Sequence, residues 1–426
     1  MNTKWPMWAF YAQMILGLWL IASPDTFGYK SSILWWSDVS CGVFLILFGW
    51  FGRRNPLWNL PLLAIGIWLQ AAPLLFWAPS GACYLNNTLI GLFVITFSFI
   101  VVPTPRQLPD QGPELPPGWS YNPSSWPQRL PIALIAFLCW MISRYMAAFQ
   151  LGYIDAVWDP FFGEGTQKVL TSDVSKAFPV SDAGLGAFAY TFEFLSTIQG
   201  GTRRWRTSPW MVILFGILVI PVSITSVVLI ILQPLVVGYW CFWCLVTAAL
   251  MLVSIPFAID EVVLVWQYLR RSNLPFWPLF FKGGECRAAT EDLRTPSLDA
   301  PLSVLWRASL WGMTAPWNLC LSICVGLVLM VIPKWVGITG KLLDFDLIIG
   351  AFSVVVAVVS FAQHARAFRW INLLLGVALL AVSWTERCQL FGEAAAIQLS
   401  LSLLLIGLSF YRGRFRESVQ MPTVQK

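Results

Sequence analysis

The chain of 426 residues is 58% hydrophobic and 11% charged and holds 25 tryptophans, a composition that excludes a soluble globular protein and fits a polytopic membrane protein. Its formal charge of +6 sits in short loops between apolar runs, so it reports topology and gives no reason to expect nucleic acid as a partner. Nine cysteines, an odd number at scattered spacing, exclude the disulfide framework of a small secreted domain.

The apolar runs are continuous rather than alternating, so the expected fold is all-α, with about twelve transmembrane helices. Spans are expected at roughly 7–23, 33–51, 58–77 and 84–102 by apolar length. The opening run has the look of a signal peptide, but it recurs later as half of a repeat and is read as a span. A polar stretch from Pro103 to Arg129, carrying eight prolines, reads as a linker that is no regular helix. The next spans fall at roughly 130–149, 182–199, 208–232 and 238–258, forming a central four-helix bundle with a polar segment, Leu151 to Ser181, between the first two. The stretch Asp260 to Pro316 is extramembrane, with Lys282 to Pro301 expected to be disordered. The last spans fall at roughly 317–332, 343–361, 370–384 and 393–410. The expected domains are thus 1–102, a linker at 103–129, the bundle at 130–260, a cytoplasmic linker at 261–316, a last block at 317–411 and a cytoplasmic tail at 412–426.

Lysine and arginine concentrate on one side, among them Arg53, Arg54, Arg129, Arg203, Arg204, Arg206, Arg270 and Arg271. The other side holds Lys30, Lys168, Lys176, Lys334, Lys341 and Arg387. With an even number of spans, this bias puts both termini in the cytoplasm and the segment Leu151 to Ser181 outside.

The chemistry-bearing motif is Cys241-Phe242-Trp243-Cys244 at the start of an apolar helix. Two thiols one turn apart can close into a disulfide, and the positive end of the helix dipole favours the thiolate of Cys241. On spacing alone two other readings stay open: a zinc site, which needs a second ligand pair while the sole histidine, His364, lies far along the chain, and two core cysteines behaving as small hydrophobes. Cys83 and Cys388 are expected in outer loops. Glu193 and Arg144 lie inside spans, where charges are costly and usually pair, although helix rise leaves these two at different depths. Cys320 and Cys324, one turn apart, read as packing residues.

Three stretches, Leu16 to Pro24, Ile65 to Pro73 and Val325 to Pro333, share a glycine, an apolar run and a closing proline, and a weaker copy starts at Leu375. Each is followed by a second helix with its own glycine, at Gly42, Gly91, Gly350 and Gly407. The pattern resembles the SPW-repeat family, two copies before the bundle and two after it, and its physical role is close helix packing.

The middle block resembles the vitamin K epoxide reductase family, including bacterial members that oxidise protein thiols and reduce quinone. The residues that carry the likeness are Gly238 to Ala248 with Leu232-Gln233, Lys168 to Ser172, and Leu185 to Thr191 with Tyr190. The resemblance implies a redox disulfide in which Cys241 exchanges with a thiol partner and Cys244 forms a transient adduct with the quinone. It implies quinone contacts at Asp182 and Ser172, and the aromatic Tyr190, Trp240 and Trp243 suit a flat ring. For Asp182 the alternative role is capping the next helix together with Ser181. Ubiquinone or menaquinone is then the substrate, no metal is expected, and the partners are membrane lipid and an exported thioredoxin-like or thiol protein. The expected location is a bacterial inner membrane, with the motif at its outer face.

One departure stands out. Relatives usually carry a cysteine pair in the polar segment, whereas here no cysteine lies between Cys139 and Cys241; Thr166 takes the place of the second and Trp158 lies near that of the first. The rival reading is a non-enzymatic scaffold or quinone-binding module that has lost the relay. For topology, single-cysteine variants at Ser175 and Ser297 should differ on intact cells, only the first reacting with an impermeant thiol reagent. Equal labelling, or labelling of the second alone, overturns the orientation.

Overall fold

The computed structural model describes residues 6–100, 114–286, 288–338, 340–385 and 393–414. In chain order the helices are α1 (Met7–Thr26), α2 (Ser32–Gly52), α3 (Asn59–Leu75), α4 (Gly81–Ile100), α5 (Trp126–Gln150), α6 (Gly165–Leu170), α7 (Asp182–Ile198), α8 (Arg204–Thr207), α9 (Pro209–Leu232), α10 (Phe242–Arg271), α11 (Phe276–Lys282), α12 (Leu302–Ser309), α13 (Trp317–Trp335), α14 (Lys341–Val359), α15 (Arg369–Thr385) and α16 (Glu393–Phe410). Each of the twelve stretches expected to span overlaps a helix among the described residues, and the short α6, α8, α11 and α12 fall between them. Among the described residues, eight helices are long and apolar enough to cross a membrane by length and composition, and Asn59–Leu75, Trp317–Val331 and Ala396–Phe410 are shorter apolar ones. No strand occurs among the described residues. The architecture is all-α and polytopic, as lipid requires of a chain whose backbone groups must bond within each segment.

The chain forms two compact units. The first comprises Met1–Gln107, Ala136–Leu195 and Tyr239–Trp243. In it, α1 crosses α2 where glycines let the backbones touch: a Cβ on Gly42 would stand 2.6 Å from the Gly17 carbonyl, and one on Gly91 in α4 2.8 Å from that of Gly66 in α3. Around these crossings Phe10, Leu20, Leu45, Leu62 and Leu69 are buried. Polar side chains inside the block find each other, Gln13 Nε2 donating to Ser98 Oγ at 2.9 Å and Asn87 Nδ2 to Asp38 Oδ2 at 2.9 Å. Leu34, Ala72, Leu74 and Tyr84 pack with Leu151, Tyr153, Val180 and Phe188, so the block shares a core with the segment between α5 and α7 and with α7 itself. Arg144 donates to Thr88 Oγ1 at 3.0 Å and lies over the rings of Trp140 and Tyr84.

Cys83 corrects an expectation. Ser80 Oγ accepts from the Cys83 amide, α4 therefore begins at Gly81, and the thiol is buried in the helix rather than carried on an outer loop. Cys388 lies outside the described residues.

The second unit comprises Leu108–Ile135, Ser196–Gly238 and Cys244–Lys426. The last carbonyls of α7 and the turn after it, which have no partner within the helix, are taken by two buried arginines. Arg129 donates to Thr197, Gln199 and Gly200, and Arg204 to Ser196, Thr197 and Gln199. Arg204 also grips Glu261 with both ends of its guanidinium, at 2.6 and 2.5 Å, and Ser124 Oγ donates to the same carboxyl at 2.6 Å. Asp260 accepts from Tyr121 and lies 2.8 Å from His364 Nδ1, whose ring stacks on Trp119. These bonds explain two departures from expectation. Helix α10 runs on to Arg271 because its interior acids are neutralised and bonded, and the described part of the proline-rich stretch is a packed strap, with Pro127 in the first turn of α5, where its missing amide costs nothing. The stretch expected to be disordered is likewise held, Leu115 and Thr290 exchanging backbone hydrogen bonds at 2.9 and 3.1 Å.

Helices α13 to α16 repeat the packing of the first four. A Cβ on Gly350 would meet the Gly326 carbonyl at 2.6 Å, and one on Gly376 the Ser402 carbonyl at 3.1 Å. Ser402, not Gly407, therefore holds the fourth crossing; Gly407 faces open space. The repeat extends to polar groups. Asp38 and Asp346 each lie four residues before the crossing glycine of their helix, and Asn87 and Gln398 four before Gly91 and Ser402. Gln398 Nε2 donates to both Asp346 oxygens at 2.6 Å.

Gly42→Leu should destabilise the protein by roughly 1–3 kcal/mol through forced separation of α1 and α2, whereas Gly407→Leu should be neutral. Thermal unfolding of both variants in detergent checks the contrast.

Candidate active site

Before the Cys-x-x-Cys motif the chain passes through a π turn, Gln233–Val237, and reverses at Gly238, whose φ of 77° suits glycine. Cys241 is the residue just before the first turn of α10, and Cys244 lies within that turn. Both cysteines are disulfide-bonded. The motif is at the start of the helix, as expected. Cys241 is 0% exposed and Cys244 half-buried.

What covers Cys241 is the segment the sequence leaves without a cysteine. Thr166, at the start of α6, accepts from the Phe242 amide at 3.1 Å and donates through the same hydroxyl to Asp159 Oδ2 at 2.6 Å. One of the orphan donors at the start of α10 is thus capped from a distant segment. Trp243 Nε1 donates to the Trp158 carbonyl at 2.7 Å, and the Trp158 amide donates to Tyr145 Oη at 2.9 Å. Lys168 Nζ stands 4.2 Å from the Tyr239 ring centroid, and Phe161 packs on Phe242. A Cβ on Gly165 would collide with the Trp240 carbonyl, so the approach of α6 to the motif needs glycine there.

Burial pushes the Asp159 carboxyl up, but hydrogen bonds from Thr166 Oγ1 and from the amides of Phe162, Phe161 and Thr166 outweigh it and leave it below its ordinary value. A depressed folded value means that the stabilisation is complete above the ordinary carboxylate range of about 4. It is lost as pH falls through the lower folded value.

The other end of α6 borders a cavity of about 400 Å³. Its walls include Phe149, Leu170, Phe178 and Val180, with Gln150, Thr171, Ser175, Lys176 and Ser181 as the polar and charged groups. Helix α6 is short: roughly 6 Å of rise separates Thr166 from Leu170. Asp182 accepts from Gln150 Nε2 at 2.5 Å, and Gln150 Oε1 in turn accepts from Ser181 Oγ at 2.6 Å. Ser181 Oγ accepts from the Gly184 amide at 2.9 Å, and Asp182 Oδ1 from Ala183 N at 2.7 Å, so the capping role expected for this pair is present. Ser172 lies between the cavity-lining Thr171 and Ser175, its hydroxyl turned to the Val169 carbonyl at 2.7 Å. Ser175, named above as a labelling site, is buried, so the adjacent exposed Lys176 is the better reporter. Tyr190 is buried two turns further along α7. Neither Asp182 nor Ser172 lines the cavity itself: Asp182 is bonded to the lining Gln150, and Ser172 follows the lining Thr171, whereas Trp240 and Trp243 are at the motif.

Sequence reasoning misses Gln150, which ties Asp182, Ser181 and the Leu170 carbonyl together. Its signal is a lone amide closing an apolar span. It also misses Asp159, which in sequence is one of several loop acids. Among the described residues no group of three His, Cys, Asp or Glu side chains gathers in a metal-binding cluster.

Thr166→Val removes both hydroxyl bonds and a cap worth about 1 kcal/mol. Reduction of the disulfide by a small phosphine should accelerate several-fold in this variant and in Asp159→Asn. Unchanged rates in both would mean that the segment does not guard Cys241.

A family model for the vitamin K epoxide reductase family matches residues 130–259, and one for the SPW repeat domain matches residues 7–101. No curated protein and no solved structure matches. Residues 130–259 span α5 through most of α10, including the Cys-x-x-Cys helix and the segment that covers it. The chain therefore carries a vitamin K epoxide reductase family domain, that of a membrane oxidoreductase, preceded by an SPW repeat domain.

Proposed function

We propose that the protein is a membrane thiol and quinone oxidoreductase that takes electrons from exported protein thiols, or a thioredoxin-like partner, and reduces a membrane quinone. The observation that carries this reading is a disulfide-bonded Cys-x-x-Cys at a helix start, with a ring-sized, largely apolar cavity one short helix away. The partner's thiolate attacks Cys241 Sγ, the bond to Cys244 breaks, and Cys244 leaves as a thiolate stabilised at the helix start. A second thiolate on the partner attacks its own sulfur in the mixed disulfide and releases Cys241. The partner departs oxidised, having given up two electrons and two protons. The quinone accepts two of each from the dithiol, which restores the disulfide. Asp182 and Ser172 are the polar groups assigned to the quinone side, with Tyr190, Trp240 and Trp243 as aromatic neighbours, and no resident metal takes part.

Because Cys241 is buried under Trp158 to Lys168, attack requires that segment to lift. We assign the enzyme to a bacterial inner membrane with both termini cytoplasmic and the motif at the outer face. Residues 317–411 are read as a second pair of SPW-like hairpins, supported by the repeated crossings. The competing reading is a scaffold or quinone-binding module without turnover. What favours it is the same covered sulfur, with Thr166 where a relay thiol is expected.

Thiol titration of the purified protein decides between them. After reduction two thiols should appear at Cys241 and Cys244, and adding quinone should remove both. Cys241→Ser should abolish oxidation of a thiol substrate, whereas Cys83→Ser, whose thiol is buried in α4, should retain it. Thiols that stay free with quinone present leave the scaffold.

A further inference from the structure

The cavity beside α6 is not walled by the reductase domain alone. Trp77, in the turn between α3 and α4 of the SPW block, lines it and donates its indole N–H to the Pro179 carbonyl at 3.1 Å. The backbone there is unusual: with φ of 44°, Trp77 is the one described residue other than glycine with positive φ. A bulky side chain in that region is strained, and such strain persists only where the surroundings over-determine it. Three contacts do so. The Ala78 amide bonds to the Pro73 carbonyl at 2.9 Å, closing the turn. Tyr153 Oη donates to the Ala78 carbonyl at 2.6 Å. Leu74 presses against α7 at Gly184, where a Cβ would collide with it. The turn is thus clamped to both ends of the cavity-bearing segment, and the indole remains half-exposed.

We propose that Trp77 is a ligand-binding residue of the quinone site, supplied by the SPW block. Its indole forms one face of the slot for the ring, against the aliphatic and aromatic wall of Leu170 and Phe178, and its bond to Pro179 holds the Phe178-to-Ser181 wall in place. This inference rests on the quinone reading above and deepens it by naming a determinant of ring affinity outside the reductase domain.

The test measures binding apart from turnover. A short-chain quinone is titrated against Cys241→Ser protein, which cannot cycle, with and without Trp77→Ala, Trp77→Phe or Trp77→Gly. Loss of a stacking face of this kind corresponds to about tenfold in affinity. The expected result is a Kd about tenfold higher for Trp77→Ala and Trp77→Gly, with Trp77→Phe partly restored. In the cycling enzyme the quinone KM should rise while the KM for the thiol substrate stays put. Equal Kd values in all variants overturn the proposal and leave the oxidoreductase reading standing. A rise in Kd with no turnover in the wild type sustains Trp77 as a binding residue while removing the enzyme. No quinone binding in the parent overturns both. If Trp77→Gly, which relieves the strain, binds as the parent does while Trp77→Ala does not, the indole has only a structural role and the proposal fails.

Discussion

The first amide of α10 needs an acceptor, and the covered state of the Cys-x-x-Cys motif depends on where it finds one. In most helices a neighbouring residue would serve; here Thr166 reaches in from seventy-six residues earlier, and its single hydroxyl passes the constraint on to Asp159. Lifting the segment breaks the bonds that Phe242 and Trp243 make to it, while the bond from Thr166 to Asp159 travels with it and keeps the hydroxyl aimed. The aromatic contacts of Trp158 and Phe161 add area to this pin. The covering of Cys241 thus begins with an unsatisfied helix terminus, a requirement that any helix carries.

The sequence makes the spans legible because lipid imposes a length and a composition on every crossing helix. It makes the motif's position legible because a run of apolar residues after Cys244 marks a helix start. The start of α7 is legible for the same kind of reason, since Ser181 and Asp182 are typical N-terminal capping residues. What it hides is pairing at a distance. Nothing near Asp260 or Glu261 announces that Arg204, Tyr121 and His364 will neutralise or bond them, so a run of acids reads as the end of the membrane segment. The proline-rich stretch misleads likewise: proline density signals the absence of helix, yet Trp119, Tyr121 and Ser124 turn its described part into a packed strap. The cavity-lining Gln150 and Trp77 belong to no sequence pattern and become visible only when separate blocks share a core.

The SPW block changes meaning once that core is seen. As a sequence it is a flank; as a structure its Leu74 and Ala78 are buried with Val180 and Phe188 of the reductase domain. Its crossings need close backbone approach, which fixes α3 and α4 and so the turn between them. A rigid turn can hold a strained backbone that a loose loop would relax.

The paired acids and amides, Asp38 with Asn87 and Asp346 with Gln398, constrain how such a protein changes over evolutionary time. A buried donor or acceptor left without its partner costs about 1–3 kcal/mol, a large share of the margin most proteins hold. Lipid-facing positions in the two blocks are free to drift one residue at a time, but either member of a pair alone is not. The two blocks differ at the amide by one methylene, a change that keeps the carboxyl supplied with a donor throughout. Divergence at these positions is thereby confined to a corridor of exchanges in which the pair survives each step.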